Sequence, residues 1–137
     1  MRFDLSNKTA IVTGASQGIG ETIAIEMAKS GATVFCLARN KEALDTTIKK
    51  ITENGGKATA FSCNISNNDD FKSIILNIVK EYGSIDILVN NAGITKDNLL
   101  MRMSDDQWDD VLNINLKGSF TCTRSVIKHM MKKKTLL

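Results

Sequence analysis

The sequence predicts an α/β fold in which helices cover both faces of a parallel sheet. Short, continuously apolar runs alternate along the chain with longer segments whose apolar residues recur three or four positions apart. The short runs lack the polar–apolar alternation of a half-exposed strand, and such runs are typical of parallel strands buried on both sides. Glycines follow several of these segments and mark where each would end.

The first strand and the first helix flank Gly14. Residues 10–12 form a short apolar run that Gly14 ends, and residues 19–29 then carry apolar side chains at helical spacing. Gly31 follows as a helix stop, and residues 32–38 form the second predicted strand. This order predicts a first β-α-β unit.

The pattern then repeats. A second helix is predicted over residues 41–53 and a third strand over residues 57–63. A third helix is predicted over residues 66–82, with Ser66 as its N-cap and Gly83 as its stop.

The last predicted strand covers residues 86–90, and residues 93–103, which show little periodicity, are predicted to form a loop. Ser104 is predicted to cap a long helix that runs to about Lys132, because Gln107 completes a capping box. Right-handed crossovers between the strands predict a doubly wound, Rossmann-type sheet of order 3-2-1-4. We expect this sheet to be truncated after the fourth strand and the helix that follows it.

Composition limits the classes of protein. The 137 residues suit one domain, residues 1–137, and 42% hydrophobic with 24% charged residues is typical of globular proteins. A net charge of +3 is too small to predict nucleic-acid binding. No apolar run approaches the ~20 residues of a membrane helix, and the N-terminal stretch with Asp4 does not resemble a signal peptide. We expect neither a nucleic-acid partner nor membrane insertion.

The three cysteines, Cys36, Cys63 and Cys122, lie far apart and form no C-x-x-C pair. Zinc sites and dithiol redox motifs use closely spaced pairs, so neither is predicted. Sparse cysteines fit a reducing compartment. We therefore expect a cytoplasmic protein whose cysteines act as small apolar side chains.

Three glycines between the first strand and the first helix predict a phosphate-binding turn. Gly14 follows the strand, and Gly18 and Gly20 open the helix. Glycine permits positive φ and lets a pyrophosphate approach the backbone closely, and the N–H groups of a helix N-terminus attract phosphate. A plain tight turn is the alternative, and the strand–turn–helix context favours the phosphate site.

The end of the second strand predicts which dinucleotide binds. A site that prefers NAD places an acidic residue there for the ribose 2′-hydroxyl. This chain has Ala38, Arg39 and Asn40 instead, and the Arg39 guanidinium offers a fork of donors that suits a 2′-phosphate. We expect NADPH as the cofactor, and a solvated surface arginine is the alternative.

Three motifs carry a resemblance to a known family. They are Thr13-Gly14-x-x-x-Gly18-x-Gly20, Asn90-Asn91-Ala92-Gly93 after the fourth strand, and Asn113-Ile114-Asn115-Leu116-Lys117-Gly118 in the long helix. In this order they resemble the classical short-chain dehydrogenase/reductase family over essentially the whole chain. The segment 91–103 is similar to the corresponding segment of bacterial 3-oxoacyl-[acyl-carrier-protein] reductases.

The resemblance implies roles within an NADPH site. The glycine turn would hold the pyrophosphate, Asn64 and Ile65 would flank the adenine, and the segment after the fourth strand would lie against the ribose. Many members carry a basic residue at the position of Gln17, so Arg39 would be the main 2′-phosphate contact here. Asn115 would be the helix asparagine of the catalytic tetrad, whose main chain holds a water in the proton relay. The implied cofactor residues are Gly14, Ser16, Gln17, Gly18, Ile19, Gly20, Arg39, Asn64, Ile65, Asn91, Ala92 and Gly93.

The remaining catalytic groups of that family have no counterpart in this sequence. In the family a tyrosine protonates the carbonyl oxygen during hydride transfer, and a lysine four residues later lowers its pKa, beside a catalytic serine. The one tyrosine here, Tyr82, has Asp86 at that distance. We expect this truncated chain to be catalytically incompetent alone. We also expect it to be weakly stable and prone to self-association, because its fourth strand would be an unpaired edge.

By resemblance, the implied activity is NADPH-dependent reduction of a 3-oxoacyl thioester in fatty-acid synthesis. Two alternatives stay open: a short-chain reductase acting on a sugar, steroid or small ketone, and a non-catalytic nucleotide-binding fragment. Acyl-carrier protein is the implied partner, with Lys128, Lys132 and Lys133 as a candidate docking patch, and the long helix is implied to carry homo-oligomer contacts. His129 is predicted to lie on the helix surface and Trp108 to pack inward.

Overall fold

The computed structural model describes residues 3–94, 96 and 98–133, which form an α/β fold. The strands are β1 (Thr9–Thr13), β2 (Thr33–Ala38), β3 (Lys57–Ser62) and β4 (Ile87–Val89). The helices are α1 (Gly18–Lys29), α2 (Lys41–Glu53), α3 (Asn68–Tyr82), α4 (Asp105–Val111) and α5 (Gly118–Lys133). All strand pairs in the described sheet are parallel, in the order β3-β2-β1-β4, which confirms the predicted fold class and strand order.

The strand β1 lies inside the sheet, and all of its residues are buried. Ile11 packs on one face in a cluster with Phe71 of α3 and Val126 of α5. Ala10 and Val12 pack in a second cluster with residues of α1 and α2. Successive residues of β1 point to opposite faces, and both faces are covered, so apolar side chains occur at successive positions. This continuous apolar pattern predicted the buried parallel sheet.

The helix α3 begins later than the sequence predicts. Its N-cap is Asn67, whose side-chain oxygen accepts the Asp70 N–H at 3.2 Å, so the prediction of Ser66 as the cap is wrong. The Ser66 hydroxyl donates to the Asn64 side chain at 2.6 Å instead. Two adjacent residues were both able to cap, and the local hydrogen bond to Asn64 engages the Ser66 hydroxyl.

The long final helix is continuous but not regular. Ser104 caps it through the predicted capping box. A π-helical segment, Leu112–Lys117, lies between α4 and α5, and such widened turns are uncommon outside functional sites. A π-helical turn contains one residue more than an α-helical turn. The spacing of apolar residues does not reveal this extra residue, so a uniform helix was predicted. A 3₁₀ turn at Leu100–Arg102 interrupts the predicted loop, of which Thr95 and Asp97 lie outside the described residues.

Apolar side chains are exposed along α4 and α5. Trp108 is 57% exposed, so the prediction that it packs inward is wrong. Leu116, Phe120 and Met131 are 68%, 59% and 62% exposed. Among the described strands β4 pairs only with β1, so it forms the sheet edge that the sequence predicts.

No helix of the described residues is long and apolar enough to cross a membrane. Those residues also contain no group of three or more side chains arranged to hold a metal ion. Cys36, Cys63 and Cys122 are free and buried within the two apolar clusters, which is the packing role predicted for them.

Candidate cofactor-binding site

A cleft of about 510 Å³ opens where β1, β2, β3 and β4 end, at the carboxyl edge of the sheet. Open doubly wound sheets bind ligands at this edge. The cleft is lined by all the predicted cofactor residues except Gly20. Those lining residues are Gly14, Ser16, Gln17, Gly18, Ile19, Arg39, Asn64, Ile65, Asn91, Ala92 and Gly93. The lining does not include Asn115, although it includes the preceding Ile114.

The glycine turn adopts a backbone that favours glycine. Gly14 and Gly18 have φ angles of 64° and 58°, and no atom lies within 4 Å of a Cβ built on Gly18. A Cβ on Gly20 would overlap the Gly14 carbonyl oxygen and the Asn91 side-chain nitrogen, so Gly20 permits the helix to approach the turn. The side chain of Gln17, the N-cap of α1, makes no capping hydrogen bond within the described structure. The first N–H groups of α1 therefore remain available to an anion.

Thr13 and Asn91 join the glycine turn to the end of β4. The Thr13 hydroxyl accepts the N–H groups of Asn91 and Ala92 at 3.1 and 3.0 Å and donates to the Val89 carbonyl at 3.3 Å. The Asn91 side chain donates to the Gly14 carbonyl at 3.2 Å. Thr13 belongs to the glycine motif, yet its partners are more than seventy residues away, and no separate role was predicted for it.

Arg39 is the one ionised side chain among the described residues that line the cleft. It follows β2 and is exposed, and its carbonyl accepts the Ser62 hydroxyl at 3.0 Å. No carboxylate lies on the described lining. The electrostatics of the cleft therefore favour an anionic group beside Arg39.

Asn64 and Ile65 form the part of the cleft that follows β3. Ile65 is 8% exposed, and a Cβ on Gly118 would lie 2.8 Å from its Cδ1, so α5 packs closely behind it. The Asn64 Oδ1 accepts the Ser66 N–H at 3.1 Å. Because an N–H group only donates, this contact fixes the orientation of the amide and leaves the Asn64 NH₂ group to donate elsewhere.

Asn115 lies in the π-helical segment and holds the chain that follows β4. Its Oδ1 accepts the Ile94 N–H at 2.8 Å, and its Nδ2 donates to the Ile94 carbonyl at 3.0 Å. A Cβ on Gly93 would lie 3.0 Å from the same Oδ1. The Asn115 carbonyl, predicted to hold a water, accepts the Ser119 hydroxyl at 2.8 Å. The side chain thus positions one wall of the cleft, and the proton-relay role stays a prediction.

Two other reactive groups are unsuited to chemistry in the cleft. Cys63 lines it, but burial and, secondly, the nearby Asp70 raise the pKa of the thiol to about 12. The thiol therefore stays protonated and is a poor nucleophile. Tyr82 ends α3, where its ring packs edge-on against Phe35 at 5.0 Å between centroids, and it is not on the lining of the cleft.

The lysines near the end of α5 do not form one free patch. The Lys133 ammonium donates to Asp86 and to the Ser84 hydroxyl, both at 2.9 Å, at the edge of the sheet opposite the cleft. The Lys133 ammonium is therefore paired with a nearly buried carboxylate, and its part in a docking patch stays a prediction. Lys128 and Lys132 are exposed. Lys134, which continues the basic run, lies outside the described residues.

Comparison with known proteins decides the family. Residues 8–135 match the model of a family described as short chain dehydrogenase. The chain belongs to this family. The match confirms the resemblance that the three sequence motifs carry, and a fold with the cleft at its carboxyl edge agrees with it.

Curated relatives of the chain include proteins named 3-oxoacyl-[acyl-carrier-protein] reductase. The chain is 44% identical over 130 residues to a 3-oxoacyl-[acyl-carrier-protein] reductase of Staphylococcus epidermidis, which covers 94% of the chain and 53% of the relative. It is 42% identical over 130 residues to the enzyme of that name from Thermotoga maritima, with 95% and 53% covered. The chain spans about half the length of these relatives.

Solved structures match the fold closely. A short-chain type dehydrogenase/reductase from Mycobacterium marinum has a TM-score of 0.92 at 34% identity, with 96% of this chain and 53% of that chain covered. A metagenomic short-chain oxidoreductase, solved in complex with NADP, has a TM-score of 0.90 at 34% identity, with 94% and 59% covered. The family and the neighbour in complex with NADP support a nicotinamide dinucleotide as the cofactor.

Proposed function

We propose that this chain binds NADPH in the cleft and forms the cofactor-binding part of a cytoplasmic 3-oxoacyl-[acyl-carrier-protein] reductase. The observation that carries the proposal is that three features meet in one cleft. The N-terminus of α1 is uncapped, the glycine turn has positive φ angles, and Arg39 is the single ionised side chain on the described lining. Phosphates bind helix N-termini, and an arginine fork suits a second phosphate.

The residues present fit a dinucleotide with a 2′-phosphate. Gly14, Gly18 and the first turn of α1 would hold the pyrophosphate, and Arg39 would pair with the 2′-phosphate. Asn64 and Ile65 would contact the adenine. NADPH, when bound, would supply the hydride for carbonyl reduction. A plain surface role for Arg39 is the alternative, and it predicts no preference between NADPH and NADH.

Binding and turnover are expected to separate in this chain. Asn115 fixes the cleft wall, but the sequence holds no Tyr-x-x-x-Lys pair to protonate a carbonyl oxygen. We infer that the chain binds NADPH without reducing acetoacetyl thioesters. A non-catalytic nucleotide-binding fragment predicts the same behaviour, whereas reduction of a sugar, steroid or small ketone by this chain would favour a different reductase.

Gly18 and Gly55 provide a matched pair for the binding test. Both have positive φ, 58° and 79°, and a Cβ on either meets no atom within 4 Å. Alanine should strain both backbones alike, by roughly 1–2 kcal/mol, but only Gly18 lines the cleft. Fluorescence titration of NADPH should show binding weakened at least about tenfold (1.4 kcal/mol) in Gly18→Ala and unchanged in Gly55→Ala.

The outcomes of this titration are distinct. Absence of NADPH binding by the unmodified chain would refute the proposed function, and equal loss in the two variants would refute the phosphate role of the turn. Turnover of an acetoacetyl thioester by the unmodified chain would refute the inference that it lacks the proton donor.

Acyl-carrier protein is the partner that the relatives' names suggest. Lys128 and Lys132 are the exposed lysines of α5 that remain for an acidic partner. They lie near the C-terminal end of α5, which contacts the end of the sheet opposite the cleft. Charge reversal at both positions should weaken binding of acyl-carrier protein in a low-salt titration. Unchanged binding would place the contact elsewhere.

A further inference from the structure

Thr47 is a buried polar residue on the inner face of α2. It is fully buried, and its neighbours on that face, Leu44 and Ile51, are apolar. Helical spacing would place a third apolar side chain at this position. A buried hydroxyl is stable only when it is hydrogen-bonded, so its partners define its role.

The partners of Thr47 belong to the phosphate turn and to α1. Its hydroxyl lies 3.0 Å from the Ala15 carbonyl oxygen and 2.8 Å from Glu21 Oε2. The other oxygen of the Glu21 carboxylate lies 3.1 Å from the Lys50 ammonium on α2. The hydroxyl has one proton, and both partners only accept, so the Ala15 carbonyl and the Glu21 carboxylate share it in a three-centre hydrogen bond. This shared bond joins the turn, the first turn of α1 and the second helix.

The contact with Ala15 fixes a peptide plane inside the turn. The Ala15 N–H donates to the Leu37 carbonyl of β2 at 3.2 Å, and the Ala15 carbonyl is held by Thr47. In a trans peptide the carbonyl and the following N–H point in opposite directions. Holding the Ala15 carbonyl toward α2 therefore turns the Ser16 N–H away from α2, and Ser16 lines the cleft.

We propose that Thr47 is a positioning residue for phosphate binding, acting through the Ala15–Ser16 peptide and without touching the ligand. This inference rests on the proposed NADPH site. Glu21 shares the hydroxyl proton with Ala15 and so keeps the hydroxyl between α1 and α2, and the Lys50 ammonium holds the Glu21 carboxylate in that position. The sequence distance of 32 residues between Ala15 and Thr47 hides this connection from motif analysis.

Three variants separate positioning from packing. Thr47→Val deletes the hydroxyl and keeps the shape, and Thr47→Ser keeps the hydroxyl. Thr121→Val is the matched control, because Thr121 is a buried threonine on α5 whose hydroxyl donates to its own helix at the Gly118 carbonyl. Two readouts apply to each: the Kd for NADPH, and amide hydrogen exchange over the glycine turn of the free chain.

We expect Thr47→Val to raise the Kd at least about fivefold (about 1 kcal/mol) and to speed exchange of the turn amides. Thr47→Ser should restore both, and Thr121→Val should leave both unchanged even where it lowers the melting temperature. Thr47→Ala gives the same comparison if the valine variant does not fold. If Thr47→Val leaves both the exchange rate and the Kd as in the unmodified chain, the inference is overturned. Equal effects in Thr121→Val would overturn it as well. If the unmodified chain binds no NADPH, the proposed function fails, and the exchange measurement still decides whether Thr47 orders the turn.

Discussion

The Lys133–Asp86 ion pair gives a prediction whose size follows from its geometry. The Asp86 side chain is 4% exposed and that of Lys133 is 40% exposed, with 2.9 Å between the ammonium and the carboxylate. Asp86 also accepts the Thr9 N–H at 2.9 Å and the Thr9 hydroxyl at 3.2 Å. In Lys133→Met these two bonds remain, but a nearly buried charge loses its counter-ion.

The cost lies between that of an exposed pair and that of a buried one. Exposed pairs contribute up to about 1 kcal/mol, and breaking a buried pair costs about 3–5 kcal/mol. With one partner buried and two hydrogen bonds retained, we expect a loss of about 1–2 kcal/mol in the free energy of unfolding. For a chain of 137 residues this should lower the melting temperature by roughly 3–10 °C.

Thermal and urea denaturation followed by circular dichroism measure this loss. The matched control is Lys132→Met, because Lys132 is exposed and makes no ion pair within the described residues. Its effect should stay within about 0.5 kcal/mol. Equal melting temperatures for the two methionine variants would refute the reasoning. If the losses in the free energy of unfolding of Lys133→Met and Asp86→Asn simply add in the double variant, the two side chains do not interact, and the reasoning also fails.

The same pair predicts how stability changes in acid. Burial raises the pKa of Asp86, but the hydrogen bonds from Lys133 and Thr9 outweigh it, and the net pKa lies below the ordinary value of 3.8. A carboxyl whose pKa is lowered in the folded state stabilises the fold above its unfolded pKa, and this stabilisation is lost as the pH falls through the folded pKa. Stability should therefore decrease below about pH 4, and less steeply in Asp86→Asn.

Three further predictions follow from the cleft and the exposed helix face. Arg39→Ala should weaken NADPH about tenfold or more and leave NADH unchanged in parallel titrations, and equal loss for both cofactors would contradict the 2′-phosphate role. Asn115→Ala removes both hydrogen bonds to Ile94 and should speed proteolysis of the segment after β4, which an unchanged cleavage pattern would contradict. Leu116→Glu with Phe120→Glu should abolish the concentration-dependent self-association that we expect by sedimentation, because both side chains are exposed apolar surface.

The repeating local patterns of the chain were predictable. The inner strands β1 and β2 are continuously apolar because helices cover both of their faces, whereas the edge strand β3 is partly exposed. The predicted cofactor residues came together at one edge, since parallel strands place the residues that follow them on the same side of the sheet. Gly20 alone stays outside the lining, because its role is close packing against Gly14.

The sequence by itself determined the α/β order, the glycine turn and the family, because these depend on local patterns and on the order of motifs along the chain. Only the tertiary structure decided the polar partners. Thr47 contacts Ala15, Asn115 contacts Ile94, and Lys133 pairs with Asp86. Such pairings join segments 21 to 47 residues apart. Periodicity records which face of an element is buried, but the partner of a polar group depends on which distant segment the packing brings within hydrogen-bond reach.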